Sequence, residues 1–128
     1  MGDPFAGSNL AYVGHIYPGI SPSVWGPYGA FTQVAAARPM MITEWGYRDG
    51  GTDPVNGTQA GFGDPLKAWV EAQRVGWTAW CADTVWSSQM FDPSWNLLVG
   101  PAEMGGFTKD WLAEKKDADL PAHLLPGN

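Results

Sequence analysis

Glu44 is the side chain in this sequence best placed for covalent chemistry. It follows a short apolar run, Met40 to Ile42, within RPMMITEWGY (38–47), bounded by Pro39 in front and Gly46 behind. Buried strands of α/β proteins read as such uninterrupted runs, and active sites in those folds collect at the strands' carboxyl ends, where Glu44, Trp45 and Tyr47 fall. The same pattern also describes an edge-strand glutamate beside a turn, so the neighbours decide. His15 and Tyr17 close LAYVGHIY (10–17) two residues apart. On a strand they share one face, and both can hydrogen-bond into a site, although a histidine there can equally be a satisfied core residue. Trp80 lies in WTAWCA (77–82). A carboxylate with hydrogen-bond partners and an aromatic wall suits a sugar: a pyranose stacks its CH face on an indole, and its anomeric carbon needs a carboxylate beneath it.

The elements that must position these groups alternate along the chain. Leu10 to Tyr17 reads as a strand of β-branched and aromatic residues stopped by Pro18-Gly19. A loop of Pro, Gly and Ser carries Trp25, and Phe31, Val34 and Ala35 are spaced for a helix that must end before Arg38-Pro39. The Glu44 strand is followed by a loop from Arg48 to Gly63, long enough to bind something. Asp64-Pro65 offers an N-cap and an N1 proline for a helix carrying Leu66, Trp69, Val70 and Gln73, closed by Gly76. Trp77 to Ala82 is expected to be the third strand. A second long loop, Asp83 to Gly106, carries Trp86, Met90, Phe91 and Trp95, and Thr108 is placed to cap a last helix with Phe107 and Leu112 as its hydrophobic staple. Strand, helix, strand, helix, strand at this period predicts three consecutive βα units of a parallel α/β sheet, functional at its carboxyl end.

Composition narrows the partners. The chain has 128 residues, which predicts a single domain, 1–128, and a net charge of −6 with seven Lys and Arg. That lacks the basic footprint a polyanion binder needs, so nucleic acid is not an expected partner. One cysteine, Cys81, excludes an intrachain disulfide, and two widely separated histidines give no metal-ligand spacing, so neither metal nor other cofactor is expected. No basic and apolar leader precedes Asp3 and no apolar run nears the length of a membrane span, so a soluble chain without a membrane partner is expected, in a compartment the sequence does not name. Eight tryptophans are several times ordinary usage, and rings so costly to leave in water must pack or meet a ligand.

Taken together the motifs resemble family 5 glycoside hydrolases, the cellulase-like (β/α)8 barrels. DPFAGSNLAYVGHIY looks like their sixth strand with its H-x-Y motif, PMMITEWG like the seventh with the nucleophile, and GWTAWCAD like the eighth, whose tryptophan floors the sugar subsite at the cleavage point. The likeness runs to about Leu112 and places three motifs in register. It implies an O-glycosyl hydrolase of the retaining β-glycanase type acting on a β-linked glycan, with Glu44 as nucleophile, Tyr17 orienting it and His15 shaping the site. It makes Trp80 the stacking platform. Trp45 belongs either to the aromatic wall or to the core; Trp25, Trp86 and Trp95 either touch substrate or pack their loops; Trp69 and Trp111 are core.

The sequence also departs from that family. A retaining glycosidase needs two carboxyl groups about 5–5.5 Å apart, and the family's proton donor is the glutamate of an N-E-P motif that does not occur here. The candidates that could stand in, Asp83 and Glu103, lie in the last loop, and nothing in the sequence aims either at Glu44. The chain therefore looks like the last three-eighths of a barrel. Three strands from a closed barrel leave two unpaired edges, which predicts completion by association into a homo-oligomer or by repacking. Three readings follow: a β-glycanase portion whose acid is supplied from elsewhere, a catalytically impaired glycan-binding portion, and a purely structural α/β portion.

Overall fold

The computed structural model describes residues 7, 9–20, 22–26 and 29–116. Three parallel strands, β1 (Tyr12–Ile16), β2 (Met40–Trp45) and β3 (Gly76–Trp77), lie side by side in chain order. A one-turn helix α1 (Pro22–Trp25) and α2 (Ala30–Ala37) connect β1 to β2. A π-helical turn, Gln59–Gly63, runs directly into α3 (Asp64–Gln73) and so to β3. The last helix, α4, spans Met104–Lys115. Parallel neighbours require crossover connections, and helices supply both, so the expected α/β alternation is what forms. Among the described residues no helix is long and apolar enough to cross a membrane.

The core lies between one face of the sheet and the helices. Ile16, Ile42, Trp45, Leu66 and Trp111 are fully buried there, with Trp69 and Val70 nearly so. Trp77 stacks on Trp111 with centroids 4.1 Å apart, and Trp45 meets Trp77 edge-on at 5.5 Å, the offset and T-shaped contacts that aromatic quadrupoles favour. Trp69 and Trp111 are thus core, as expected. Their indole N–H groups also tie helices together: Trp69 donates to Thr32 Oγ1 of α2 at 2.7 Å, and Trp111 donates to Glu71 Oε1 of α3 at 2.7 Å. Lys115 of α4 pairs with the other oxygen of Glu71. Burial pushes the Glu71 carboxyl up, but the Lys115 ammonium and the Trp111 N–H more than offset this and hold it below its ordinary value.

Several boundaries differ from the sequence expectation. The Pro18–Tyr28 segment contains the turn of helix α1, whose Trp25 packs edge-on against Phe62 and Trp69. The Arg48–Gly63 segment is not loose: Arg48 N–H bonds Val55 O at 2.9 Å, Asp49 N–H bonds Ala102 O at 2.9 Å, and the π-turn completes it. The α3 helix continues from that turn, so the cap is Thr58, whose hydroxyl accepts from Gly61 N–H at 3.0 Å, rather than Asp64. Its other end closes on Arg74 in the left-handed region, φ 53°, while Gly76 is already in β3. Helix α4 starts at Met104, which places Thr108 mid-helix and buried, and leaves Leu112 exposed rather than stapled to Phe107. It starts early because Gly105 lets the helix end press on the preceding loop: a Cβ there would sit 2.5 Å from Leu98 O and 2.6 Å from Met90 O.

The third strand is the shortest, two residues against the six expected. Its ladder with β2 ends at Ile42 opposite Trp77, and only single bonds continue it, Thr78 N–H to Ile42 O at 2.9 Å and Trp80 N–H to Trp45 O at 2.8 Å. Two β3-side residues thus advance while β2 advances three. The extra residue in β2 breaks the ladder there.

Candidate active site

A bulge in β2 builds the site. Gly14 pairs with Ile42, but the next residue of β1, His15, pairs with Glu44, so Thr43 is extra. Strict alternation would put Ile42 and Glu44 on one face, and Ile42 is fully buried in the core. With Thr43 inserted, Ile42 and Trp45 both face the core and Glu44 turns to the opposite face beside His15. The Thr43 carbonyl is taken by the Thr78 hydroxyl at 2.7 Å. Neither Thr43 nor Thr78 is marked in the sequence by its residue type. The three-residue spacing of the apolar Ile42 and Trp45, where alternation gives two, is the trace the bulge leaves.

Two donors converge on one carboxylate oxygen. The Tyr17 hydroxyl donates to Glu44 Oε2 at 3.0 Å, and His15 Nδ1 lies 3.2 Å from the same atom. The Glu44 side chain is 28% exposed and that of His15 50%, so the carboxylate is partly shielded yet reachable. Burial, the bond to Glu44 and the neighbouring Glu44 and Cys81 charges all push the Tyr17 phenol well above its ordinary 10.0, which keeps it a donor at any physiological pH. Both donors hold the one oxygen Oε2, which fixes the orientation of the carboxylate as a nucleophile requires. Cys81 is close enough that burial, then Asp83 and Glu44, raise its thiol, so it stays protonated.

The tryptophans divide. Trp80 stands at the end of β2 through its bond to Trp45 O, and its side of the rim leaves it 38% exposed. Trp86 and Trp95 are 65% and 64% exposed on the last loop, Trp95 with its ring 5.6 Å from Phe91. Trp45 and Trp25 are buried: Trp45 lies on the face opposite Glu44, and Trp25 packs edge-on against Phe62 and Trp69.

The two acidic stand-ins are occupied elsewhere. Asp83 Oδ1 accepts the N–H groups of Val85, at 2.7 Å, and Trp86, at 3.5 Å, and these bonds hold the carboxyl below its ordinary range, ionised and unable to donate a proton. Glu103 faces Arg48, with Oε1 3.5 Å from Nε. Among the described residues no group of three or more His, Cys, Asp and Glu side chains could hold a metal ion.

No protein-family model matches the sequence, and no curated protein matches it. Solved structures do. The native form of the β-glucanase SdGluc5_26A from Saccharophagus degradans is similar with a TM-score of 0.68 and 26% identity, over 84% of this chain and 34% of that one. The same β-glucanase in complex with cellotetraose is similar with a TM-score of 0.67 and 25% identity over the same shares. The chain has a glycoside hydrolase-like fold and spans about a third of the length of the β-glucanase it resembles.

Proposed function

We propose that the chain, as one partial-barrel domain, forms the last three βα units of a retaining β-glucanase and carries its nucleophile, Glu44. The observation that supports this most directly is the convergence of Tyr17 and His15 on Glu44 Oε2 at the carboxyl end of β1 and β2, in a fold shared with a β-glucanase. In this reading a carboxylate oxygen of Glu44 attacks the anomeric carbon of a β-linked glucan while the bond to the leaving oxygen breaks. Tyr17 and His15 fix the carboxylate's orientation. Trp80 floors the sugar, and Trp86 and Trp95 flank it from the last loop. Water then releases the glycosyl group from Glu44 with retention.

The leaving oxygen must receive a proton, and Asp83 and Glu103 are both committed to other partners. The donor is therefore supplied by residues beyond those of this chain. General acid catalysis contributes about 100- to 10,000-fold, so the chain by itself is a poor hydrolase of unactivated glucan. That favours a second reading of the isolated chain: its rim holds glucan without cleaving it.

A 2-deoxy-2-fluoro-glucoside with a dinitrophenolate leaving group separates nucleophile from acid, because the leaving group departs as an anion and needs no proton. Incubation followed by intact-mass measurement should show one covalent glycosyl adduct, absent from Glu44→Gln. No adduct at any concentration rules out Glu44 as a competent nucleophile in this chain.

A further inference from the structure

Ser88 is a fully buried polar side chain 44 residues beyond Glu44, and the hydrogen bond it makes explains what it is for. Its hydroxyl donates to Trp80 O at 3.0 Å. Gly46, two residues after Glu44, lies against the same pair: a Cβ at 46 would sit 2.1 Å from Ser88 Oγ, 2.5 Å from Trp80 O and 2.9 Å from Met104 Sδ. Real Cβ atoms do not come so close, so any side chain at 46 would push the Trp80 backbone away from β2. The Trp80 amide is meanwhile bonded to Trp45 O at 2.8 Å, and Cys81 O accepts Asp83 N–H at 2.9 Å and Met90 N–H at 3.1 Å. Every backbone polar group from Trp80 N to Trp80 O is thus fixed, while the indole itself stays partly exposed.

A buried hydroxyl is costly unless hydrogen-bonded, and an apolar residue would fill the same space without that risk. We infer that Ser88, seated in the gap that Gly46 leaves open, is a positioning residue that sets the height and tilt of the Trp80 platform relative to Glu44. The inference rests on the reading of Trp80 as a glucan-stacking residue. It makes the last loop a part of the binding machinery even though Ser88 never meets the sugar: the loop reaches under the rim, and its hydroxyl locks the strand end that carries the ring. Stacking depends on where a ring face lies to within fractions of an ångström, whereas the fold requires only that the space be filled.

The test titrates cellohexaose against tryptophan emission in the parent, Trp80→Ala, Ser88→Ala, Ser88→Cys and Gly46→Ala, with a thermal melt of each. Ser88→Ala should weaken binding by about threefold to tenfold, the worth of a misplaced aromatic contact, and Ser88→Cys, whose thiol can still donate to Trp80 O, should recover part of it. Gly46→Ala should lose binding as Trp80→Ala does if it folds; the serine variants carry the test if it does not. Parental affinity in Ser88→Ala alongside lost affinity in Trp80→Ala overturns the positioning role and leaves the platform intact. So does a loss that follows the melting temperature with no recovery in Ser88→Cys, as a merely structural role would give. Parental affinity in Trp80→Ala brings down the platform reading itself, and this inference with it.

Discussion

His15 and Glu44 are register partners across β1 and β2, although the residues just before them, Gly14 and Ile42, are also partners. One inserted residue, Thr43, separates a carboxylate that would enter the aromatic core from one that meets His15 Nδ1 at 3.2 Å. The bulge thereby reconciles two demands on one strand: Trp45 must pack against the stacked Trp77 and Trp111 rings, and Glu44 must face the other way.

Tyr17→Phe should keep the fold and slow labelling of Glu44 by the activated fluoro-glucoside by about tenfold or more, since a hydrogen bond to a charged group is worth about 1.5–3 kcal/mol. The difference between parent and Tyr17→Phe in an alkaline absorbance titration isolates this phenol. It should titrate far above 10.0 in the parent and fall only part of the way in Glu44→Gln, because burial is the larger cause and remains. With its folded value raised, Tyr17 contributes stability that is complete below 10.0 and is lost as pH rises above it. Unchanged labelling in Tyr17→Phe would remove the hydroxyl from the mechanism.

Glucan binding should survive without hydrolysis and depend on Trp80. A half-open site covers one side of a sugar, so cellohexaose should bind with a dissociation constant near the millimolar end, about 4 kcal/mol. Trp80→Ala should abolish the emission change, while Trp69→Phe, a substitution in α3 where it meets α2, should leave it. No spectral change in the parent at tens of millimolar would contradict the carbohydrate rim.

Glu71 links α3 to α4, and its depressed carboxyl gives a pH signature. The fold favours the ionised form, so the stabilisation is present above the ordinary value of 4.5 and is lost as pH falls through the lower folded value. Urea unfolding at a series of pH values should find Glu71→Gln less stable than the parent at neutral pH, with the gap closing in acid. A gap that is constant with pH would mean that the Lys115 pairing contributes nothing.

Arg74 closes α3 at φ 53°, where only glycine is free of a Cβ penalty. Arg74→Gly should stabilise by about 1 kcal/mol and raise the melting temperature by about 4–8 °C. A lower melting temperature would show that the arginine side chain makes a contact worth more than the backbone penalty.

Among the described residues β1 and β3 are each bonded within the sheet to β2 alone, and Val13 on the face opposite the core is exposed. Unpaired edges of this kind template addition of another chain. Gel filtration with light scattering should therefore give a mass above that of one chain. A sharp monomer with a cooperative melt would mean that the edges are tolerated as they stand.

Much of this protein was legible along the chain because its signals are local. The apolar run before Glu44, the helical spacing of Phe31, Val34 and Ala35, and the proline in the first turn of α3 each report on residues a few positions apart, and each element formed where they point. The pairing of His15 and Tyr17 on one face also followed from a period of two. What tertiary structure alone decided depends on neighbours far apart in sequence. Which way Trp45 and Glu44 face turns on the bulge in the pairing of β1 with β2, and β3 stops pairing where that bulge begins. Thr108 reads as a cap and is a buried helix residue, because Gly105 allows α4 to begin one turn earlier against Leu98 and Met90. Nothing in the sequence pairs Gly46 with Ser88, yet the two meet against the Trp80 carbonyl, 42 residues apart along the chain. A sequence specifies its own periodicity residue by residue, but which side chain meets which across 20 or more positions is decided by the shape of the space the packed elements leave.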